Sequence, residues 1–379
     1  MEDKTKDKIK VLNIIWGFST GGIGKLFLTY ASLGRYDTTL DVISVCIDLK
    51  NCEYDRTPLE NAGIKVIPIT SRKDISWIRA IGKLAKTIKP DVVFCHGFNG
   101  PIIVKVASLF ERSLRVPMVC SYHGLYNPPT KSRRLFTTII NKTQAWIYKK
   151  YANTVILVAK YSGEYLLERK VPVEKLEVVY NGIPAEEPPC NEINLDNSKI
   201  NIGMVGRLDA IKGINFLIEA IKEVIQRIND QFHVYIIGDG PEKDELIELT
   251  KRLGVDEYIS FVGYQSNVSA WMKSWDIFCL PSLQENHSIA LLEAMRAGSA
   301  IICTNVGGNP ETVIDNEEAL LVPSRDSHAL ANALVQVIQS QNLRDNLGKN
   351  ARKKFIERFT EDVMKYNICK ILKKVGNGA

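Results

Sequence analysis

The stretch KINIGMVGRLDAIKG (199–213) joins a short apolar run to a loop with two cations between two glycines. The run KINIGMVG (199–206) predicts a buried β-strand that ends at Gly206, and a helical pattern starts after Gly213. Further apolar runs, each followed by a helix candidate, are HVYIIGDG (233–240), YISFVG (258–263), DIFCLPS (276–282) and AIICT (300–304). Strands that are apolar on both faces and alternate with helices indicate a parallel sheet covered on both sides.

The first half of the chain shows the same alternation. Its strand candidates are VLNII (11–15), LDVISVCI (40–47), DVVFCHG (91–97), VPMVCSY (116–122) and TVILVA (154–159). Between them, ISWIRAIGKLAKTI (75–88) repeats apolar residues at three- and four-residue spacing, as amphipathic helices do. The segment AEEPPCNEINLDNS (185–198) separates the two series and has no periodicity, which favours a linker.

The sequence therefore predicts an α/β protein with two doubly wound, Rossmann-like domains. We expect an N-terminal domain at 1–187, a linker at 188–197, a second domain at 198–360 and a C-terminal helix at 361–379 that packs back toward the first domain. In open sheets of this kind, ligands bind at the carboxyl ends of the strands, and two such edges can face one another across a cleft.

The composition is that of a soluble globular protein, with 45% hydrophobic and 24% charged residues in 379. The polar start MEDKTKDKIK lacks the apolar core of a signal peptide, and no apolar run approaches the length of a spanning helix. The eight cysteines form no CxxC pair, and the five histidines show no metal-ligand spacing. We expect a cytoplasmic protein with buried, reduced thiols and no structural metal.

Two strand-end loops are candidates for anion binding. WGFSTGGIGK (16–25) places Gly21, Gly22 and Gly24 ahead of a helix, but it matches neither GxxxxGK[ST] nor GxGxxG, so a tight turn without ligand explains it equally well. In the loop after Gly206, Arg207 and Lys212 lie five residues apart beside a helix start. Such a pair suits a diphosphate, and a solvated surface pair is the alternative.

The stretch PSLQENHSIALLEAMRAGSA (281–300) places Glu285 in a strand-end loop and Glu293 inside a helix that Ser288 or Asn286 caps and Gly298 ends. Eight residues at a helical rise of ~1.5 Å each correspond to a separation of ~12 Å between the two carboxylates. Together with an anion at the helix start, they suit a nucleotide sugar, whose hydroxyls would flank a diphosphate. If the two carboxylates were the acid and the base of a hydrolase, the two cations would have no role. A second alternative is that Glu293 only compensates the helix dipole.

The ordered set GRLDAIKG, IIGDGP (236–241), FVGY (261–264) and PSLQENHSIALLEAMRAG resembles the second domain of glycosyltransferase family 4, whose retaining enzymes have the GT-B fold. SYHG (121–124) and VVYNGI (178–183) agree with its first domain, so the resemblance covers nearly the whole chain.

The resemblance implies roles for individual residues. Arg207 and Lys212 would hold the donor diphosphate and stabilise charge as the anomeric bond breaks, Glu293 would bind the ribose and Glu285 a sugar hydroxyl. The remaining implied contacts are the backbone of Asn286, His287 and Ser288 for the distal phosphate or sugar, Val262 for the base, Gly21 and Gly22 for the diphosphate, and His123 for the transferred sugar. Without the resemblance, the residues favour a strand-end histidine at 123 that is bonded by its neighbours. Many relatives carry Gly-Phe-Gly where this chain has residues 286–288, which leaves the donor sugar open.

The mechanism follows from the same residues. Transferases that use a metal at the diphosphate often hold it with an Asp-x-Asp triplet, and this chain has none. The consistent interpretation is that Arg207 and Lys212 take the place of a metal at the leaving diphosphate. No covalent nucleophile stands out, and the resemblance implies retention through front-face displacement, with domain closure excluding water. A nucleotide-sugar epimerase and an inactive sugar-nucleotide sensor are the alternatives, and the missing dinucleotide fingerprint disfavours a dehydrogenase.

Charge is distributed unevenly between the two halves. Residues 1–190 carry 28 Lys and Arg against 18 Asp and Glu, and no acid occurs between Glu111 and Glu164. The segment RRLFTTIINKTQAWIYKKYA (133–152) in this interval predicts a basic amphipathic helix that could lie on an anionic membrane, although an ordinary packed helix is nearly as good an interpretation. The hypothesis is a saccharide or lipid-linked acceptor, as in capsule, O-antigen or exopolysaccharide assembly at the inner face of the plasma membrane. No nucleic-acid-binding module accompanies the charge.

Overall fold

The computed structural model describes residues 8–18, 22–49, 55–71, 73–97, 99–124, 134–186, 193–228 and 231–378, with the backbone alone at Ile23 and at 134–136. The chain divides into two compact units. The first comprises Met1–Asn181 and Glu361–Ala379, and the second comprises Gly182–Thr360. Of the predicted linker, residues 188–192 lie outside the described residues, and 193–197 form no helix or strand.

The first unit is built on a parallel sheet. Its strands are β1 (Ile9–Trp16), β2 (Leu40–Leu49), β3 (Lys65–Ile69), β4 (Val92–His96), β5 (Met118–Tyr122), β6 (Thr154–Leu157) and β7 (Leu176–Val178). They pair in the order β3-β2-β1-β4-β5-β6-β7. The chain therefore leaves the middle of the sheet in one direction, returns to it at β4 and continues in the other direction.

Helices cover both faces of this sheet. They are α1 (Gly22–Ala31), α2 (Leu33–Tyr36), α3 (Thr57–Asn61), α4 (Ser76–Ile88), α5 (Gly100–Phe110), α6 (Arg134–Tyr151) and α7 (Glu164–Glu168). Because alternate residues of a strand point to opposite faces, Leu12 and Ile14 of β1 join the core with α4, α5 and α6, whereas Asn13 points to the other face of the sheet.

The second unit repeats the plan with six parallel strands. They are β8 (Ile200–Val205), β9 (Phe232–Ile237), β10 (Ile259–Gly263), β11 (Ile277–Leu280), β12 (Ala300–Thr304) and β13 (Leu320–Val322), in the order β10-β9-β8-β11-β12-β13. The helices are α8 (Ile214–Ile228), α9 (Lys243–Leu253), α10 (Val268–Lys273), α11 (Ile289–Ala297), α12 (Asn309–Thr312), α13 (Ser327–Gln339) and α14 (Gln341–Arg358). The predicted pair of doubly wound α/β sheets is confirmed.

The last helix, α15 (Glu361–Gly376), belongs to the first unit, where it contacts α1, α2, β1 and β4. The Nζ of Lys373 bonds the carboxylate of Asp37 at 2.7 Å, and Gly376 lies against the side chains of Ile9 and Val92. The C-terminal helix thus packs on the first domain, as the sequence predicts.

The described cysteines carry no disulfide and are buried. They are Cys46, Cys95, Cys120, Cys279, Cys303 and Cys369, whereas Cys52 and Cys190 lie outside the described residues.

Candidate active site

Three candidate residues of the second unit lie where the strand order reverses. Neighbouring β8 and β11 pair in parallel, with Ile277 opposite Ile202, although 75 residues separate these partners in the chain. The loop after β8 carries Arg207 and Lys212, and the loop after β11 carries Glu285. This reversal point, at the carboxyl ends of the strands, is where doubly wound sheets bind their ligands.

Lys212 and Glu285 contact each other directly. The Nζ of Lys212 lies 2.6 Å from Oε1 of Glu285, and the hydroxyl of Ser282 donates to the same oxygen at 2.8 Å. The lysine side chain is 20% exposed and the glutamate side chain 9%. Two residues that the sequence assigns to separate parts of one ligand are therefore already an ion pair, shielded from much of the solvent.

Arg207 differs from Lys212 in its surroundings. Its side chain is 63% exposed, and its Nε lies 3.6 Å from Oδ2 of Asp209. Burial raises the pKa of Asp209 and the charge of Glu285 adds to that rise, while Arg207 and Lys212 act in the opposite direction. We refer to Arg207, Asp209, Lys212 and Glu285 as the charge cluster, which holds two cations and two carboxyl groups.

Asp209 was missed by the sequence reasoning. Within the part of the chain that the structure describes, its buried Oδ1 has no hydrogen-bond partner. The signal available in the sequence is its position between the two cations of GRLDAIKG, which places it in the same strand-end loop.

Backbone hydrogen bonds link the strand-end loops that follow β8, β11 and β12. The N–H of Leu283 donates to the carbonyl of Ile211 at 2.7 Å, and the N–H of Gly308 donates to the carbonyl of Glu285 at 3.2 Å. Gly307 has a φ of +55°, and a Cβ there would collide with the carbonyl oxygen of Glu285. The position of Glu285 thus depends on a glycine in the next strand-end loop.

The helix α11 begins and ends where the sequence indicates. Ser288, one of the two predicted caps, accepts a hydrogen bond from the N–H of Leu291 at 3.3 Å, and Gly298 ends the helix with a φ of +76°. Glu293 is the fifth residue of the helix and is only 8% exposed. Because the first N–H groups of a helix lack partners within it, the start of α11 is suited to an anion.

His287 lies inside the second unit instead of facing a ligand with its ring. The ring is 6% exposed, its centroid lies 5.5 Å from that of Phe359, and burial lowers its pKa to about 3. Asn286 before it is half-buried, and Ser288 after it is buried. These residues can approach a ligand through their backbone, which is the contact that the resemblance implies.

Val262 lies in β10, an edge strand that is separated from β8 by β9 alone. It is half-buried, and the side-chain amide of Gln265 donates to its carbonyl at 3.4 Å.

In the first unit, Gly22 is the first residue of α1, directly after the loop that follows β1. The companion residue Gly21 lies outside the described residues. His123 follows the end of β5 by one residue, and its Nε2 lies 3.1 Å from the hydroxyl of Ser121. Burial lowers the pKa of His123 to about 4, so the ring is neutral near pH 7.

The basic segment predicted at 133–152 is α6. Its last turn carries Lys149 and Lys150, and the Nζ of Lys150 lies 5.6 Å from the ring centroid of Trp146, which is 51% exposed. Ile139 on the same helix is 54% exposed, while Arg133 lies outside the described residues. Cations and exposed apolar side chains are thus found together on this helix.

The described residues include neither a membrane-spanning helix nor a cluster of metal ligands. None of the helices there is long and apolar enough to cross a membrane. In the same part of the chain, His, Cys, Asp and Glu side chains do not gather in groups of three or more that could hold a metal ion.

Comparison with known proteins identifies the class. The family model for glycosyl transferases group 1 matches residues 190–354, and that for Glycosyltransferase Family 4 matches residues 49–187. An uncharacterized glycosyltransferase of Methanocaldococcus jannaschii is 26% identical over 93% of this chain and 95% of its own. The UDP-Gal:α-D-GlcNAc-diphosphoundecaprenol α-1,3-galactosyltransferase of Escherichia coli is 28% identical over 76% of each chain.

Among solved structures, HepE of Anabaena in complex with UDP superposes with a TM-score of 0.80 at 19% identity, covering 97% of this chain and all of that one. The fold and the family matches together define a glycosyltransferase with two Rossmann-like units, the GT-B fold. The chain belongs to glycosyltransferase family 4, as its resemblance to that family implies.

Proposed function

We propose that this glycosyltransferase takes a sugar from a nucleoside-diphosphate sugar and transfers it with retention of the anomeric configuration. The observation that carries the proposal is the charge cluster beside the start of α11, at the reversal point of the second sheet. Arg207 and Lys212 would bind the diphosphate, Glu293 the ribose hydroxyls and Glu285 a hydroxyl of the sugar.

Physical chemistry supports the assignment of the two cations to the diphosphate. The leaving group is a diphosphate whose negative charge grows in the transition state, and fixed cations and helix N–H groups stabilise such charge without having to reorganise. Lys212 is already held within 2.6 Å of Glu285, so its position is set before the donor arrives. The cations would supply at the diphosphate what a metal ion supplies in other transferases.

The other site residues complete the donor contacts in the proposal. The backbone of Asn286, His287 and Ser288 would approach the distal phosphate or sugar, and the segment around Val262 would contact the base. Gly21 and Gly22 of the first unit would add backbone contacts to the diphosphate, and His123 would lie beside the transferred sugar.

We propose a lipid-linked saccharide as the acceptor, in cell-envelope polysaccharide assembly at the inner face of the plasma membrane. The support is twofold. The E. coli relative is named for an acceptor on diphosphoundecaprenol. In addition, α6 combines Lys149 and Lys150 with the half-exposed Trp146, and cations near an anionic surface contribute ~1 kcal/mol each.

A transfer assay tests the proposed reaction. The protein is incubated with UDP-sugars and a GlcNAc-diphospholipid acceptor, and the product's anomeric configuration is read from its NMR coupling constant. We expect an α-linked product from an α-linked donor, and loss of transfer in Arg207→Gln. A matched control is Lys251→Gln, which removes an exposed cation elsewhere in the second unit. Conversion of the donor sugar to an epimer in a reaction without acceptor would contradict the proposal, and so would a β-linked product.

Co-sedimentation with vesicles tests the membrane contact. Trp146→Ala combined with Lys149→Gln and Lys150→Gln should reduce binding to anionic vesicles at low salt, while Lys251→Gln should not. Equal binding of these proteins to anionic and neutral vesicles would show that α6 does not dock on a charged membrane.

A further inference from the structure

A row of five polar side chains crosses the first unit. The amide Nδ2 of Asn13 donates to the hydroxyl of Ser44 at 2.8 Å, and Oδ1 of Asn13 bonds Nε2 of His96. Nδ1 of His96 lies 2.8 Å from the hydroxyl of Ser121, which lies 3.1 Å from Nε2 of His123. We call this set the buried polar row, and it ends at the histidine proposed to lie beside the transferred sugar.

The row is a property of the sheet. Its first four members lie on adjacent strands β2, β1, β4 and β5, and the register pairs Asn13 with Ser44 and His96 with Ser121. All four are at most 5% exposed. Buried polar groups are costly unless they are bonded, so each member is constrained by the hydrogen bonds of the next.

Aromatic rings surround the central histidine. The ring of Tyr30 stacks on that of His96 with centroids 4.6 Å apart, and the rings of Phe94 and Phe27 contact it edge-on. Burial, with a smaller effect of neighbouring His123, holds the pKa of His96 well below its usual range. His96 is therefore neutral, which gives it one donor and one acceptor nitrogen.

A neutral ring makes the row directional. Oδ1 of Asn13 can only accept, so Nε2 of His96 carries the hydrogen and Nδ1 must accept. The hydroxyl of Ser121 then donates its single hydrogen to His96, and its oxygen is left to accept from Nε2 of His123. The orientation of the Asn13 amide thus determines which atom donates in each of the later hydrogen bonds of the row.

We propose that the buried polar row fixes His123 in the tautomer with hydrogen on Nε2, which leaves Nδ1 to accept a hydrogen bond from a sugar hydroxyl. Asn13, His96 and Ser121 are then positioning residues, since they act on the sugar only through His123. This inference rests on the proposed place of His123 beside the transferred sugar, whereas the tautomer itself can be measured without any substrate.

The tautomer is measured by long-range ¹H–¹⁵N correlation spectra of the full chain labelled with ¹⁵N-histidine, in which protonated and unprotonated ring nitrogens resonate far apart. A His123→Gln sample assigns the His123 signals among the five histidines. We expect hydrogen on Nε2 of His123 in the wild type. Hydrogen on Nδ1, or an equal mixture, would overturn the proposal.

Variants test whether the row is responsible. Ser121→Ala removes the bonding partner of His123, and Asn13→Leu changes the row at a position three hydrogen bonds away from His123. Both should give a tautomer mixture at His123, and Ser121→Thr, which keeps the hydroxyl, should restore a single form. Ser108→Ala is the matched control because it removes another buried serine hydroxyl of the same unit, bonded within α5. An unchanged tautomer in folded Ser121→Ala would refute the mechanism.

Kinetics separate this inference from the proposed function. In Ser121→Ala, kcat should fall about tenfold, equivalent to about 1.4 kcal/mol, with donor affinity within about twofold of wild type. A wild-type protein with the expected tautomer and no transferase activity would contradict the proposed function alone. Full activity in a variant with mixed tautomers would contradict the positioning role alone.

Discussion

The ion pair between Lys212 and Glu285 can be tested by a double-mutant cycle. Lys212→Met removes the positive charge, Glu285→Gln removes the negative charge, and the double variant removes both. Removal of one partner of a buried pair costs about 3–5 kcal/mol because the other charge is left without compensation. Since a fifth of the lysine side chain is exposed, we expect the lower end of that range for Lys212→Met, about 3 kcal/mol.

The double variant should recover much of this loss. With both charges gone, the carboxylate of Glu285 is no longer left without its partner, and we expect a coupling free energy of about 2 kcal/mol between the two positions. Hydrogen exchange in urea, read by mass spectrometry on peptides of the second unit, gives the free energies without interference from the first. Lys251→Met is the control, because its pair with Glu248 is exposed and should contribute less than about 1 kcal/mol.

Binding of a nucleoside diphosphate completes the test, with UDP as the probe because the HepE structure contains it. Lys212→Met should lose UDP affinity by at least about tenfold, or 1.4 kcal/mol, in both the wild-type and the Glu285→Gln background. Glu285→Gln alone should weaken binding of a UDP-sugar more than binding of UDP, because its proposed partner is a sugar hydroxyl. Additive stability effects would show that the pair is not formed, and near-native UDP affinity without Lys212 would refute its role at the diphosphate.

Three further changes have distinct expected results. Arg207→Gln should lower kcat by about 10²–10³ in the transfer assay with little change in melting temperature, because the side chain is mostly exposed. Gly307→Ala should reduce both stability and donor affinity in thermal shift, since its Cβ collides with the Glu285 carbonyl, whereas Gly254→Ala, also at positive φ but with no atoms nearby, should reduce stability alone. The pKa of about 3 for folded His287 lies below the usual value of about 6.5, so unfolding takes up a proton between these values. Stability should therefore fall as pH drops through that window, and His287→Gln should reduce the slope measured by urea unfolding.

The sequence pattern predicted every inner strand of both sheets, but it missed three edge strands. The missed strands are β3, β7 and β13, each at an end of its sheet. An edge strand pairs on one side only and needs no continuous apolar run: β3 alternates buried with exposed residues and contains Pro68, while β7 and β13 have three residues each. The information that places them lies in the neighbouring strand, not in their own residues.

The candidate site was predictable to the extent that it depends on position in the chain. Arg207, Lys212 and Glu285 follow apolar runs directly, and the topology of parallel sheets brings such strand ends to one edge. The direct contact between Lys212 and Glu285 depends on the pairing of β8 with β11, which no local pattern encodes. Asn13 and His96 escaped notice for a different reason: within apolar strands, each looks like an isolated polar residue.

The first six strands of each unit pair in the same order, yet the polar groups at the strand ends of the two sheets differ in charge. The second unit gathers Arg207, Asp209, Lys212 and Glu285, whereas the first carries a neutral row that includes His96 and ends at His123. A diphosphate requires fixed cations, and Arg and Lys keep their charge throughout the neutral range. Sugar hydroxyls can also bond to oriented neutral groups, and burial lowers the pKa of both histidines so that neither becomes a competing cation. The proposed donor is charged at its diphosphate and neutral at the transferred sugar. The proposed roles of the cations and of His123 therefore agree with the difference in charge between the two sets of residues.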